Sequence, residues 1–312
     1  MKVYRSIDVE TLADSFGTDV NDIPSECIDL LNKMDSKYRV ISGLEKNELI
    51  DMIVSRINSD EQVIAAPERT AKWKLGWKEN LDDLRKTNYD LESLMPKFIR
   101  KNQPIRFMGD FIIPNESHFE HSYFNIFRTW LFKKYFSEFD TVYDIGCGSS
   151  YNLVKICEMF PSKKVYGFDF VQPSVDIVND LREHRGLNAF GGAFNIMEPD
   201  FKIDVEDNSV IFTSGAIEQV ASKFDKFINF ILEKKPSLVV NIEPTYEVYN
   251  QDILFDYLAA KFHKKRGYTS GYLPRIKELE RQNKVDILKV KRLNFGSLFM
   301  EGFTCIIWRP SQ

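Results

Sequence analysis

Residues 141–169 constrain this chain more than any other stretch. A short apolar strand with Val142, Tyr143 and Ile145 runs through Asp144 into Gly146-Cys147-Gly148. A helix-compatible segment follows, and a second strand over 164–168 ends at Asp169. A glycine-rich turn from strand to helix, with an acid about 20 residues on, is how doubly wound folds hold an adenosine. Glycine lets the backbone pass close to a ligand without a Cβ clash. An acid at the tip of the second strand can accept both ribose hydroxyl protons.

Two details decide which adenosine compound suits the turn. A dinucleotide fingerprint rests a pyrophosphate on the helix N-terminus and needs a third glycine. That position is Tyr151, a bulky ring. Asp144 lies two residues before Gly146, where a carboxylate repels phosphate and suits the ammonium of an amino acid, directly or through water. Asp144-x-Gly146-x-Gly148 therefore resembles the first motif of class I S-adenosylmethionine-dependent methyltransferases, over roughly residues 120–310. The family's usual third glycine is Ser150 here, a small substitute able to cap the helix. The resemblance implies an α/β, doubly wound, seven-stranded Rossmann-like sheet closed by a C-terminal antiparallel hairpin. It also implies S-adenosyl-L-methionine as cofactor and S-adenosyl-L-homocysteine as product.

The chain has 312 residues, enough for one large or two modest domains. A net charge of −4 lacks the basic excess of a general nucleic-acid binder. No segment approaches the ~20 apolar residues that cross a bilayer, and the N-terminus lacks an apolar leader core, so a cytoplasmic protein is expected. Cys27, Cys147, Cys157 and Cys305 are scattered without a C-x-x-C pair, which fits reduced thiols and offers no zinc site. The 25 phenylalanines imply a large core or ring-lined substrate pockets.

Residues 1–110 read as a helical N-terminal domain or lid, with helices expected over 25–35, 43–57 and 67–84. Trp73 and Trp77 stand at i, i+4 and share one helix face. Residues 101–116, with two prolines and a glycine, read as a linker or arm, and 117–136 as a strongly aromatic helix. Residues 111–312 read as the methyltransferase domain, with a helical insertion at about 245–285. Strands are expected at 142–145, 165–168, 189–194, 209–213 and 238–242, with helices between them, and a terminal strand pair at 286–295 and 303–308.

The resemblance assigns a cofactor site. It comprises Asp144, Gly146, Cys147 and Gly148 of the turn, with Asn152 at the methionine end and Asp169 on the ribose. Phe170 and Val171 flank the adenine. Asn195 either bonds the adenine amine or makes a turn of its own, with Ile196 beside it. Ser214 and Gly215 line the sulfur side, at the carboxyl end of the fourth strand. Many relatives place a histidine where this chain has Gln219, so Glu218 and Glu243 become the candidate catalytic acids, with His263 a further candidate base. Glu218, Glu243 and His263 are types that ligate metals, but no metal is expected. Candidate substrate contacts are Tyr123 and Arg128 on the aromatic helix, Gln219, Tyr246, Arg266, Tyr268 and Tyr272. Arg266 follows Lys264 and Lys265, a run able to hold a phosphorylated acceptor.

The expected activity is O-methylation, less often N-methylation, of a small molecule such as a sugar, surface-glycan or natural-product precursor. Nucleic-acid or protein methylation, or a non-catalytic cofactor-binding domain, are the alternatives. A homo-oligomer is left open. No Asn/Asp-Pro-Pro-aromatic motif of base methylation follows the fourth strand, and Tyr151 and Asp144 oppose a nicotinamide oxidoreductase.

Overall fold

The computed structural model describes residues 3–59, 65, 70–97 and 101–311. The chain opens with β1 (Val3–Ser6), α1 (Val9–Phe16), α2 (Ser25–Lys33), β2 (Lys37–Val40), α3 (Gly43–Asn58) and α4 (Thr70–Lys86). The expected helix over 67–84 thus corresponds to α4, and its residues 67–69 lie outside the described residues. Then come β3 (Ile105–Phe107), β4 (Asp110–Pro114) and α5 (Phe119–Phe136).

The alternating half follows: β5 (Thr141–Ile145), α6 (Tyr151–Met159), β6 (Lys164–Asp169), α7 (Gln172–Arg185), β7 (Ala189–Ala193), β8 (Ser209–Ser214), α8 (Asp225–Lys234) and β9 (Leu238–Glu243). The remainder is α9 (Leu254–Lys265), α10 (Tyr272–Arg281), β10 (Val285–Arg292), β11 (Phe295–Ser297) and β12 (Thr304–Pro310).

The large sheet has seven strands in the order β10-β12-β9-β8-β5-β6-β7. β7, β6, β5, β8 and β9 run parallel, and β12 runs against both of its neighbours. Every residue of β5 and β9 is buried, as expected of parallel strands covered on both faces. β10 alternates buried and open positions, as an edge strand does. Because β6 leaves β5 on one side and β8 lies on the other, the order reverses at β5, and ligands of open α/β sheets gather there.

α5 is apolar around most of its girth, and such a helix lies between layers. One side meets the large sheet, with Phe132 5.5 Å from Phe212. The other meets α1 and the small sheet, with Phe16 5.2 Å from Trp130 and Tyr123 4.6 Å from Phe295. On the opposite face of the large sheet, α8 and α10 cover Tyr143, Ile211, Val239 and Trp308.

The N-terminal region is helical, as expected, but it also carries strands that the sequence reading lacked. β1, β2, β4, β3 and β11 form a five-stranded antiparallel sheet. Residues 101–116, expected as a linker or arm, hold the β3–β4 hairpin. Met108 (φ 49°) and Gly109 (φ 83°) form its two-residue turn, both left-handed as a twisted hairpin requires. β11 lies in the connection between β10 and β12, so Phe295 pairs with Phe107 and ties the small sheet to the large one.

Buried charge fixes that junction. Arg106 is wholly buried, donates to the carbonyls of Leu298 (3.0 Å) and Phe255 (2.7 Å), and lies 4.1 Å over the Phe255 ring. Arg292 donates to Asp256 (2.6 Å) and Glu301 (2.5 Å), both nearly enclosed. Removing one side of a buried ion pair leaves an uncompensated charge and costs about 3 kcal/mol or more. Arg292→Met is therefore expected to lower unfolding free energy by about that amount in urea titrations. A loss under ~1 kcal/mol would mean that the cluster is dispensable.

Candidate functional site

The turn after β5 is held by the tip of β6. Phe168 O accepts the amides of Gly146 (2.7 Å) and Cys147 (3.1 Å). Asp169 accepts Gly148 N at 3.0 Å through one oxygen and Val171 N at 3.1 Å through the other. Gly146 (φ 75°), Gly148 (φ 54°) and Ser150 (φ 63°) are all left-handed, which explains the preference for glycine here. Ser150 does not cap α6, contrary to the sequence expectation. Its hydroxyl is buried and makes no capping bond to the helix.

Asp144 is 1% exposed, and its Oδ2 has no hydrogen-bond partner. Burial pushes its carboxyl up to about 8, and the nearby Asp169 adds to the effect. Burial likewise raises Asp169, to about 6, opposed by the amides of Val171 and Gly148. Two carboxyls thus lie buried under the strand tips.

Around this centre, Phe170 is exposed at 38% and Val171 is buried. Asn195 Oδ1 accepts Met197 N at 3.0 Å, which is the turn alternative for this residue, and Ile196 beside it is buried. Asn152 Oδ1 lies 3.5 Å from Arg128 Nη1. Cys147 is a buried thiol raised above its ordinary value by burial. Ser214 ends β8, and Gly215 donates to Ile242 O at 3.0 Å.

A second constellation lies at the tips of β8 and β9. Glu243 accepts Ala216 N (3.2 Å) and Glu218 N (3.1 Å), which fixes the turn after β8. Glu218 accepts Gln219 Nε2 at 2.5 Å. Burial raises Glu218 to about 8 and Glu243 to about 7, and the Glu243 charge contributes to the rise at Glu218. A small cleft here is lined by Ile217, Glu218, Glu243, Thr245, Glu247 and Thr269, with Pro244 and Tyr272. Its lining contains no lysine or arginine.

Several residues singled out in the sequence do not face this cleft. Tyr123 is fully buried between Phe16, Phe107, Phe119 and Phe295, so it is a core ring and not a substrate contact. Tyr272, by contrast, lines the cleft, but from the start of α10 instead of a covering loop, and its hydroxyl donates to Asn241 Oδ1 at 2.9 Å. His263 is fully buried, with Nε2 2.7 Å from Thr269 O and its pKa lowered by burial. Tyr246 and Tyr268 pack against its ring. Arg266 lies over Phe262 and lowers Glu218 from a distance. Arg128 is buried, stacked 3.6 Å over the Tyr151 ring, and donates to Tyr151 O at 2.8 Å. Among the described residues, no group of three histidines, cysteines or acids converges to hold a metal.

The sequence reading assigned Trp73 and Trp77 to one helix face without linking them to this site. Trp73 meets Phe170 edge-on at 5.4 Å. A Cβ built on Gly148 would stand 2.8 Å from the Trp77 ring, so the indole covers the bare face of that glycine. Their i, i+4 spacing was the available signal.

No family model matches the chain, and no curated protein matches it. Solved structures do. The 4+2 cyclase SpnF aligns at a TM-score of 0.50 and 11% identity, over 77% of this chain and 96% of that one. A putative sarcosine dimethylglycine methyltransferase from Galdieria sulphuraria aligns at 0.45 and 12%, over 63% and 89% of the two chains. TehB from Haemophilus influenzae aligns at 0.40 and 14%, over 65% and 69%. The fold, a seven-stranded Rossmann-like sheet, is shared with SpnF. At such identities the likeness carries the architecture and nothing finer.

Buried acids give the fold a signed pH dependence. In the unfolded chain Asp144 ionises near 4, and in the folded chain near 8. Between those values the folded state holds the extra proton, so this group makes stability fall as pH rises through the window. Asp144→Asn removes the effect. Its unfolding free energy relative to wild type is expected to improve from pH 5 to pH 8, read by denaturant titration at each pH. A pH-independent difference would mean that Asp144 is compensated.

Proposed function

We propose that this chain is an S-adenosyl-L-methionine-dependent methyltransferase acting on a small molecule. The reading rests chiefly on Asp144, a buried carboxylate with an unpartnered oxygen beneath the glycine turn of a class I methyltransferase fold. A buried acid of this kind is costly unless a cation meets it. The ammonium of the cofactor's methionine is such a cation, directly or through water. Asp169 retains lone pairs beyond the two that accept Gly148 N and Val171 N, enough for the ribose hydroxyls. Phe170, Val171 and Ile196 supply the apolar border of the adenine.

The cofactor brings a methyl group already activated on a sulfonium, so the protein's part is to place the acceptor in line and exclude water. Glu218 is our candidate to take the acceptor proton. Its raised pKa suits a base working near neutrality. Glu243 positions Glu218 by holding its amide. His263 has a structural part, since its Nε2 faces the Thr269 carbonyl. Three carboxylates line the cleft, Glu218, Glu243 and Glu247. They favour a neutral or cationic acceptor offering a hydroxyl or an amine, and disfavour the phosphorylated one that Arg266 suggested. The insertion at about 245–285 supplies Glu247, Thr269 and Tyr272 to that wall.

Calorimetry with S-adenosyl-L-homocysteine and with NAD tests the cofactor. Micromolar binding of the first and none of the second is expected, and the reverse would end this reading. Asp169→Ala should weaken binding of S-adenosyl-L-homocysteine about tenfold, equal to ~1.4 kcal/mol. Glu218→Gln should slow turnover on an acceptor found by screening while leaving that binding unchanged. Full turnover in Glu218→Gln would remove it as the base.

A further inference from the structure

We infer that α4 is a self-contained gate on the cofactor crevice, closed in this structure by Trp77 and Trp73. The inference rests on the cofactor reading above. Gly148 is a residue whose missing side chain should leave room for a ligand, and the Trp77 indole fills that room. One turn earlier, Trp73 stands edge-on against Phe170, beside the strand-tip acid Asp169. The two rings therefore cover the ribose and adenine ends together, and a nucleoside reaches Gly148 only when the N-terminal half of α4 moves aside.

The helix is built unequally for such a motion. Its C-terminal half is anchored: Leu81 and Leu84 pack with Leu94, Val154, Ile177 and Leu181. Arg85 pairs with Asp180 at 2.7 Å. Its N-terminal half is open to solvent, with Ala71, Lys74 and Leu75 exposed. Between the two indoles stands Gly76, whose φ is not in the left-handed range and which has no atom within 4 Å of a built Cβ. Neither conformation nor packing requires glycine at this position. Its effect is to weaken the helix there, by about fivefold in the local helix equilibrium relative to alanine.

Two variants move the gate in opposite directions. Trp77→Ala removes the ring from Gly148 and should speed association of S-adenosyl-L-homocysteine, and tighten it, about fivefold or more. Gly76→Ala stiffens the closed helix and should slow association several-fold. Stopped-flow mixing and calorimetry with S-adenosyl-L-homocysteine read both, with circular dichroism confirming that each variant is folded. Opposite shifts support the gate. Weaker binding by Trp77→Ala would make the indole a wall of the site and overturn it, as would unchanged rates in both variants, with the cofactor reading intact. No binding to wild type or either variant would overturn the cofactor reading and the gate with it.

Discussion

The structure depends on the stitching of two parallel strand tips by one carbonyl and one carboxylate. Phe168 O and Asp169 take up the amides of Gly146, Cys147, Gly148 and Val171. Left-handed turns leave amides without helical or sheet partners, and buried amides need them. By supplying those partners from β6, the chain holds a sharp turn open at the point where the sheet order reverses. The same contacts place Asp144 under the turn with one oxygen unmet. Site electrostatics thus follow from the way the turn is closed.

Burial then sets the chemistry. Asp144 and Asp169 lie on one side of β8, and Glu218 and Glu243 at the tips of β8 and β9, all with raised pKa values. The first pair suits a ligand that carries positive charge. The second is divided by hydrogen bonding: Glu243 is tied to two backbone amides, while Glu218 is held by one amide side chain. That difference leaves Glu218 less tied to the backbone than Glu243.

The large sheet was legible because its parallel strands are buried on both faces and read as short apolar runs between helices. The glycine turn was legible for the same local reason. The small sheet was not. Its strands are three to five residues long, too short for alternation to register. Its hairpin turns on Met108-Gly109, not on an asparagine–glycine pair. β11 is hidden inside a connection and is defined by pairing with Phe107, far away in sequence. Tyr123 was misplaced because a helix apolar on most sides gives no sign of which ring faces a ligand. Proximity to glycines and basic residues likewise does not reveal that the Tyr272 hydroxyl meets Asn241 or that the His263 imidazole meets a carbonyl. Tertiary packing alone decides such contacts.

The central claim is that the crevice at the tips of β5 and β6 takes a sulfonium nucleoside through its acids. A crystal structure of the chain grown with S-adenosyl-L-homocysteine tests it most directly. The account predicts the ribose on Asp169, the adenine beside Phe170 and the amino-acid nitrogen facing Asp144, directly or through a water. The ligand bound elsewhere, or its nitrogen directed away from Asp144, would contradict it.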